Sequence, residues 1–274
     1  MPVFTLQPVP EVHLPLAPLA KVLTQVQFSR TPGLVSDSAE AAIAEVLARY
    51  PVRRQGVAAS FAFAFAGGGP AFPVAQPAPS AMRMFSEPTG TWQVTITETS
   101  VALETTGYDT RDDFCARATE VMVAVAAVAL PPVVDRVGLR YISRLTGDDL
   151  GRIGEYIEPE FRVLHGAIGD GLSLEHSVSD SVLRIADDER MQIRSGLLPP
   201  GGGFDPSLAP LPEPSWLLDL DVFTVQGGFP FHPPALAARL RRYAEHAYSF
   251  FRYATTDDFQ RAFAQPTPDQ DRQA

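Results

Sequence analysis

Three guanidiniums recur at every fourth position of Arg136-Val137-Gly138-Leu139-Arg140-Tyr141-Ile142-Ser143-Arg144. Each must meet a carboxylate, a bound anion or water. The alternation assigns the segment to a strand with two unlike faces. Val137, Leu139 and Tyr141 share one face, and Arg136, Arg140 and Arg144 share the other with Gly138 and Ile142. Residues four apart on a strand are separated by about 13 Å, so the three cannot converge on one phosphate. They can line a groove for an extended anionic ligand, a small molecule or a nucleotide. The matching acids are Asp219 and Asp221, on one face of Trp216-Leu217-Leu218-Asp219-Leu220-Asp221-Val222-Phe223. If the two strands are neighbours, cross-strand Arg/Asp pairs account for both rows without a ligand. That structural reading takes precedence, because ion-pair networks imitate sites.

Other chemistry-bearing residues are more scattered. Glu175, His176 and Asp180 lie on a strand with His165 as their nearest histidine, which is not a metal-ligand spacing, and no metal is expected. Cys115 follows Asp112 and Asp113, which hold a thiol protonated, so it reads as buried packing. His232 reads as a cap or loop residue at a helix start, and His246 as a helix-face residue near Arg242. No serine stands in Gly-x-Ser-x-Gly. The glycine triplets at 67–69 and 201–203 lack the Lys-Ser/Thr of a phosphate loop, so no nucleotide cofactor is implied. Tyr248, Phe250, Phe251 and Tyr253 with Arg252 could stack bases, but at helical spacing beside Leu240 and Tyr243 they read as core.

A formal charge of −10 over 274 residues argues against non-specific nucleic-acid binding and suits a basic protein partner. Of the 22 cationic residues only Lys21 is lysine, and the chain has no asparagine. That pattern is the codon bias of a GC-rich genome. One cysteine forbids an intrachain disulfide and fits a reducing cytoplasm. No cationic residue precedes Lys21, so a secretory signal is not expected. The longest aliphatic run, Val121 to Leu130, is half the ~20 residues of a membrane span.

The elements that must position these residues follow from punctuation and periodicity. Residues 1–17, with Pro2, Pro8, Pro10 and Pro15, read as an extended arm. A single α+β domain follows over 18–264, with two related sheet-and-helix halves dividing near 146 as the alternative, then a flexible tail over 265–274. Strands are expected at 20–28, 61–65, 82–86, 92–97, 101–105, 134–145, 172–185, 190–198 and 216–225. Helices are expected at 38–50, capped by Asp37 or Ser38, at 111–130, capped by Thr110, and from Pro233 onward. Shorter helices fall at 148–156 and after Thr256. Residues 67–80 and 199–214 should be the most mobile internal segments. The fold class is α+β, a twisted, mainly antiparallel sheet with about three main helices packed on one face.

The chain resembles a sporadically distributed family of bacterial proteins of similar length. Three segments carry the likeness: Pro18 to Phe28, the central Arg136 to Arg144, and Leu218-Asp219-Leu220-Asp221 with the following His246, Phe250, Phe251 and Thr256-Asp257-Asp258. The family commonly has Asn where this chain has Ser143. It has no established activity, so the resemblance implies one continuous domain and no catalytic residues.

The resulting expectation is a non-catalytic cytoplasmic interaction or regulatory module. Its partner is another protein, a second copy of the chain being allowed, and no membrane is involved. The alternative is a binder of an anionic small molecule through Arg136, Arg140 and Arg144. An enzyme of unrecognised type ranks third, its site assembled from distant segments without a local motif.

Overall fold

A computed structural model describes residues 4–58, 80–162, 164, 168, 172–203 and 208–264. The alternating arginine segment is the hub strand, β6 (Val134–Leu145). It pairs antiparallel with β1 (Leu19–Phe28), placing Leu23 opposite Arg140. On its other side lies β9 (Ser215–Thr224), with Asp221 opposite Arg140 and Asp219 opposite Ile142. Outward from β1 run β5 (Ser100–Thr105), β4 (Trp92–Thr97), β3 (Ser80–Ser86) and β2 (Val52–Ala58). Outward from β9 run β8 (Glu189–Leu198) and β7 (Ser177–Arg184). Nine antiparallel strands form one sheet in the order β2-β3-β4-β5-β1-β6-β9-β8-β7.

Six α-helices lie among the described residues, where three main and two shorter ones are expected. They are α1 (Asp37–Val46), α2 (Arg111–Val128), α3 (Gly147–Gly151), α4 (Ile153–Tyr156), α5 (Pro233–Ala254) and α6 (Asp257–Phe263). Each half of the chain runs strand, helical segment, meander from a sheet edge to the centre, then a long helix. The two long helices, α2 and α5, pack on each other. Side-chain parity shows which sheet face they cover. Val137 and Leu139 of β6 and Leu218, Leu220 and Val222 of β9 join one cluster with Phe114, Val121, Leu240 and Tyr243 of the helices. Ile142 and Leu217, of opposite parity, join Leu198 and Leu208 in a second small cluster. Every residue of β9 is buried, so both its faces are covered, the charged one included.

Local signals explain most boundaries. The Thr110 hydroxyl accepts from the Asp113 amide, and that of Thr256 from Phe259, capping α2 and α6. Ser36 caps α1, accepting from Ala39, in place of Asp37 or Ser38. The hydroxyl nearest the first turn wins over the residues already inside it. His232 holds the N-cap position of α5 without a side-chain bond. The strand expected at Phe61–Phe65 lies outside the described residues, as do 67–79, 204–207 and the tail. The strand expected from Leu172 begins only at Ser177.

Candidate functional site

The central arginines are held by three different environments. Arg140 is fully buried and donates twice to Asp219, Nε to Oδ1 at 2.7 Å and Nη2 to Oδ2 at 2.8 Å. Arg194 of β8 joins it, with Nη1 3.2 Å from Asp219 Oδ2 and Nε 3.2 Å from Asp180 Oδ2. Arg136 reaches only 3.9 Å from Asp221 Oδ2, and its guanidinium lies 4.3 Å over the Phe223 ring. Burial pushes its pKa down to about 10. Arg144 donates to the Ala209 carbonyl and the Ser215 hydroxyl, at 2.8 and 2.7 Å. Burial lowers its pKa as well. The row is thus divided among carboxylate, aromatic ring and neutral oxygens.

Asp221 is the odd member of this set. Its Oδ1 has no hydrogen-bond partner among the described residues, and neither has Oε1 of its cross-strand neighbour Gln192. Gln192 turns its amide nitrogen to Asp180, at 2.8 Å. Burial pushes the Asp221 carboxyl up to about 8, against the opposing pull of Arg136 and Arg140.

The remaining sequence candidates stay apart. Asp180 serves Gln192 and Arg194, and His165 lies outside the described residues. No three His, Cys, Asp or Glu side chains among those described approach as a metal-binding group. Cys115 is buried, and its thiol is pushed up to about 11. Burial is the largest cause there, ahead of Asp112, so desolvation rather than neighbouring charge keeps it protonated. Glu189, expected in a turn, instead opens β8 as a buried anchor for α5. Arg242 and Tyr243 donate to it, and Arg239 stands 3.3 Å away.

A cavity of about 270 Å³ lies on the helix side of the sheet, and none of the three central arginines lines it. Its outer wall is the N-terminal arm over residues 11–17. Its floor is Tyr141, Ser143, Leu218 and Leu220, and its sides are the β5–α2 connection and α5. Alternation on β6 explains the floor: Tyr141 and Ser143 belong to the face opposite the arginines. Tyr141 and Tyr108 meet edge to face at 5.6 Å. Burial raises both phenols above their ordinary pKa, so they stay protonated hydrogen-bonding groups at neutral pH.

Arg111, the first residue of α2, supplies the cavity's positive charge. It is only 9% exposed. Its Nη2 lies 3.3 Å from Glu11 Oε2, and its Nη1 lies 3.7 Å from Glu245 Oε1. Neither contact is as short as the 2.7–2.9 Å usual for such pairs, and Nη2 makes no hydrogen bond. The Arg111 amide donates to Glu11 Oε1 at 3.4 Å, and the guanidinium lies 5.5 Å from the centre of the Tyr248 ring. The arm itself is tied by a few discrete contacts. The Val12 amide donates to Tyr248 Oη at 2.8 Å, and exposed His13 pairs with Asp109 at 2.8 Å. The Ser249 hydroxyl donates to the Gln7 carbonyl, and Phe4 packs on Phe250.

A second, more open cleft of about 650 Å³ lies between Phe4, Phe161, Phe250 and the serines of β7. Sequence patterning singled out neither cleft. No protein-family model, curated protein or solved structure matches this chain.

Proposed function

We propose that this chain is a non-catalytic binding module whose small-molecule ligand occupies the cavity beneath the N-terminal arm. One observation carries the reading: a buried guanidinium with one nitrogen lacking a hydrogen bond lines a cavity of mixed apolar and polar walls, closed on its outer side by the N-terminal arm. Ligand sites combine apolar walls with a few converging polar groups in this way. Tyr108 and Tyr141 line the cavity as protonated phenols, suited to hydrogen-bonding a ligand. The central arginine row, in this reading, serves the sheet's internal network.

A regulatory role follows from the arm, whose position on α5 couples cavity occupancy to an exposed surface. A basic protein partner is supported by the charge of −10, and a cytoplasmic setting by the single, buried cysteine. Membership of the sporadically distributed bacterial family belongs to the same proposal and rests on Arg136 to Arg144. Among the described residues no helix is long and apolar enough to cross a membrane.

A metabolite thermal-shift panel with parallel turnover assays tests the reading on wild-type protein and Ala247→Phe. Ala247 lines the cavity from α5, so phenylalanine there fills it. Stabilising compounds that lose their effect in the variant, without turnover, are expected. Turnover of a hit, or hits indifferent to the variant, would overturn the reading.

A further inference from the structure

We propose that the ligand of this cavity is a compact carboxylic acid, and that Glu11 occupies its anion position on Arg111 in the free protein. This rests on the cavity reading above and names the class of molecule it takes. The Glu11 carboxylate lies against two cationic features at once, the Arg111 guanidinium at 3.3 Å and the first amide of α2 at 3.4 Å. An 18-residue helix presents partial positive charge there. The second, independent feature is the guanidinium itself, nine-tenths buried, facing the cavity, with Nη2 lacking a hydrogen bond. A buried donor left so is strongly poised to bind a better-placed acceptor.

Charge balance favours exchange over addition. Arg111 already faces Glu11 and Glu245, two carboxylates to one guanidinium. A neutral ligand would leave that arrangement as it is. A further anion beside both would be repelled, whereas an anion that displaces Glu11 preserves the count. Glu11 is on the arm, so its displacement loosens the strap at that point, while Glu245 is on α5. The rest of the ligand is set by the walls: Leu14, Leu19, Leu218, Leu220 and Phe251 are apolar. The cavity volume is about 270 Å³. That space suits a short aliphatic or aromatic acid.

Calorimetric titration with octanoate and its neutral isostere octanamide tests the exchange on the full chain. Octanoate should bind about tenfold tighter than octanamide, since only the acid makes a charge-assisted pair with Arg111. Glu11→Gln removes the resident carboxylate, and should tighten octanoate severalfold while leaving octanamide unchanged. Arg111→Gln should abolish the preference, and Ala247→Phe should abolish binding of both. A Glu-specific protease should cut after Glu11 faster with octanoate than with octanamide. Equal affinities insensitive to Glu11→Gln, yet lost in Ala247→Phe, would overturn the carboxylate proposal and leave the cavity reading intact. Octanoate binding that survives Ala247→Phe, or no binding in wild type and Glu11→Gln alike, also overturns the proposal. The metabolite panel then decides the cavity reading separately.

Discussion

Truncating Arg140 to alanine removes the most deeply buried guanidinium of the sheet. Arg140 and Asp219 are 0% and 1% exposed, and their two bonds are short and parallel. Breaking such a pair costs about 3 to 5 kcal/mol, mainly because the surviving charge is stranded without water. In Arg140→Ala the Asp219 carboxylate keeps Arg194 at 3.2 Å. The cost should therefore sit near the bottom of the range, about 3 kcal/mol. Asp219→Ala removes a carboxylate shared by two buried arginines, Arg140 and Arg194, and should cost about 4 to 5 kcal/mol by the same principle. The double variant should fall short of the sum by about 2 kcal/mol, because neither partner is then left facing the other's absence. An apolar pair of similar volume, Arg140→Met with Asp219→Leu, should recover part of that cost, with Arg194 keeping Asp180.

Urea unfolding followed by tryptophan fluorescence suits the measurement, since buried Trp216 lies on β9 three residues before Asp219. A domain stable by 5 to about 15 kcal/mol tolerates the single change and remains measurable. The pair is out of solvent, so the loss should vary little with ionic strength. Additive single-site effects, or a cost that fades in high salt, would show that the paired geometry contributes no specific coupling.

Asp221→Asn should become progressively stabilising, relative to wild type, as pH rises from 5 to 8. The carboxyl pKa is raised from 3.8 to about 8 by burial. Between those values the folded chain holds a proton the unfolded chain has released, so wild-type stability falls with pH, by at most about 1.4 kcal/mol per unit. Urea midpoints at each pH would refute this if the variant lost ground on going to pH 8. Gly196→Ala should detach β7 from the sheet at a cost above about 2 kcal/mol. Gly196 has φ +155°, and a Cβ there would stand 1.9 Å from the Ser177 carbonyl oxygen. Unchanged amide-exchange protection in β7 would contradict it.

Strands whose two faces differ in chemistry are legible in the sequence. The segment 134–145 reads as a strand from alternation alone, and β6 has the same bounds. Capping hydroxyls were equally legible at Thr110 and Thr256, where one side chain answers one orphan amide. Legibility stopped where tertiary contact overrides local pattern. In β2, Val52-Arg53-Arg54-Gln55-Gly56 carries no apolar alternation, because it is an edge strand paired to β3 through its backbone. Glu189 looks like turn chemistry beside Asp187 and Asp188, and only the approach of α5 buries it against Arg242 and Tyr243.

The cavity was illegible for a stronger reason than distance in sequence. Arg111 reads simply as the first residue of a helix, and Glu11 as one polar residue in a proline-rich arm. Neither carries a motif, since a carboxylate meeting a guanidinium across a hundred residues has no spacing to recognise. Arg136, Arg140 and Arg144 stand out in the sequence instead, because their regular spacing imitates a site. Regular spacing on a central strand puts side chains beside neighbouring strands, and neighbouring strands are where the protein can most easily supply partners of its own. Asp219 does that for Arg140 here. Arg111, the first residue of α2, instead has one of its two carboxylate partners, Glu11, on the N-terminal arm that walls the cavity. On the proposed reading, the irregular arginine and not the regular row faces the ligand.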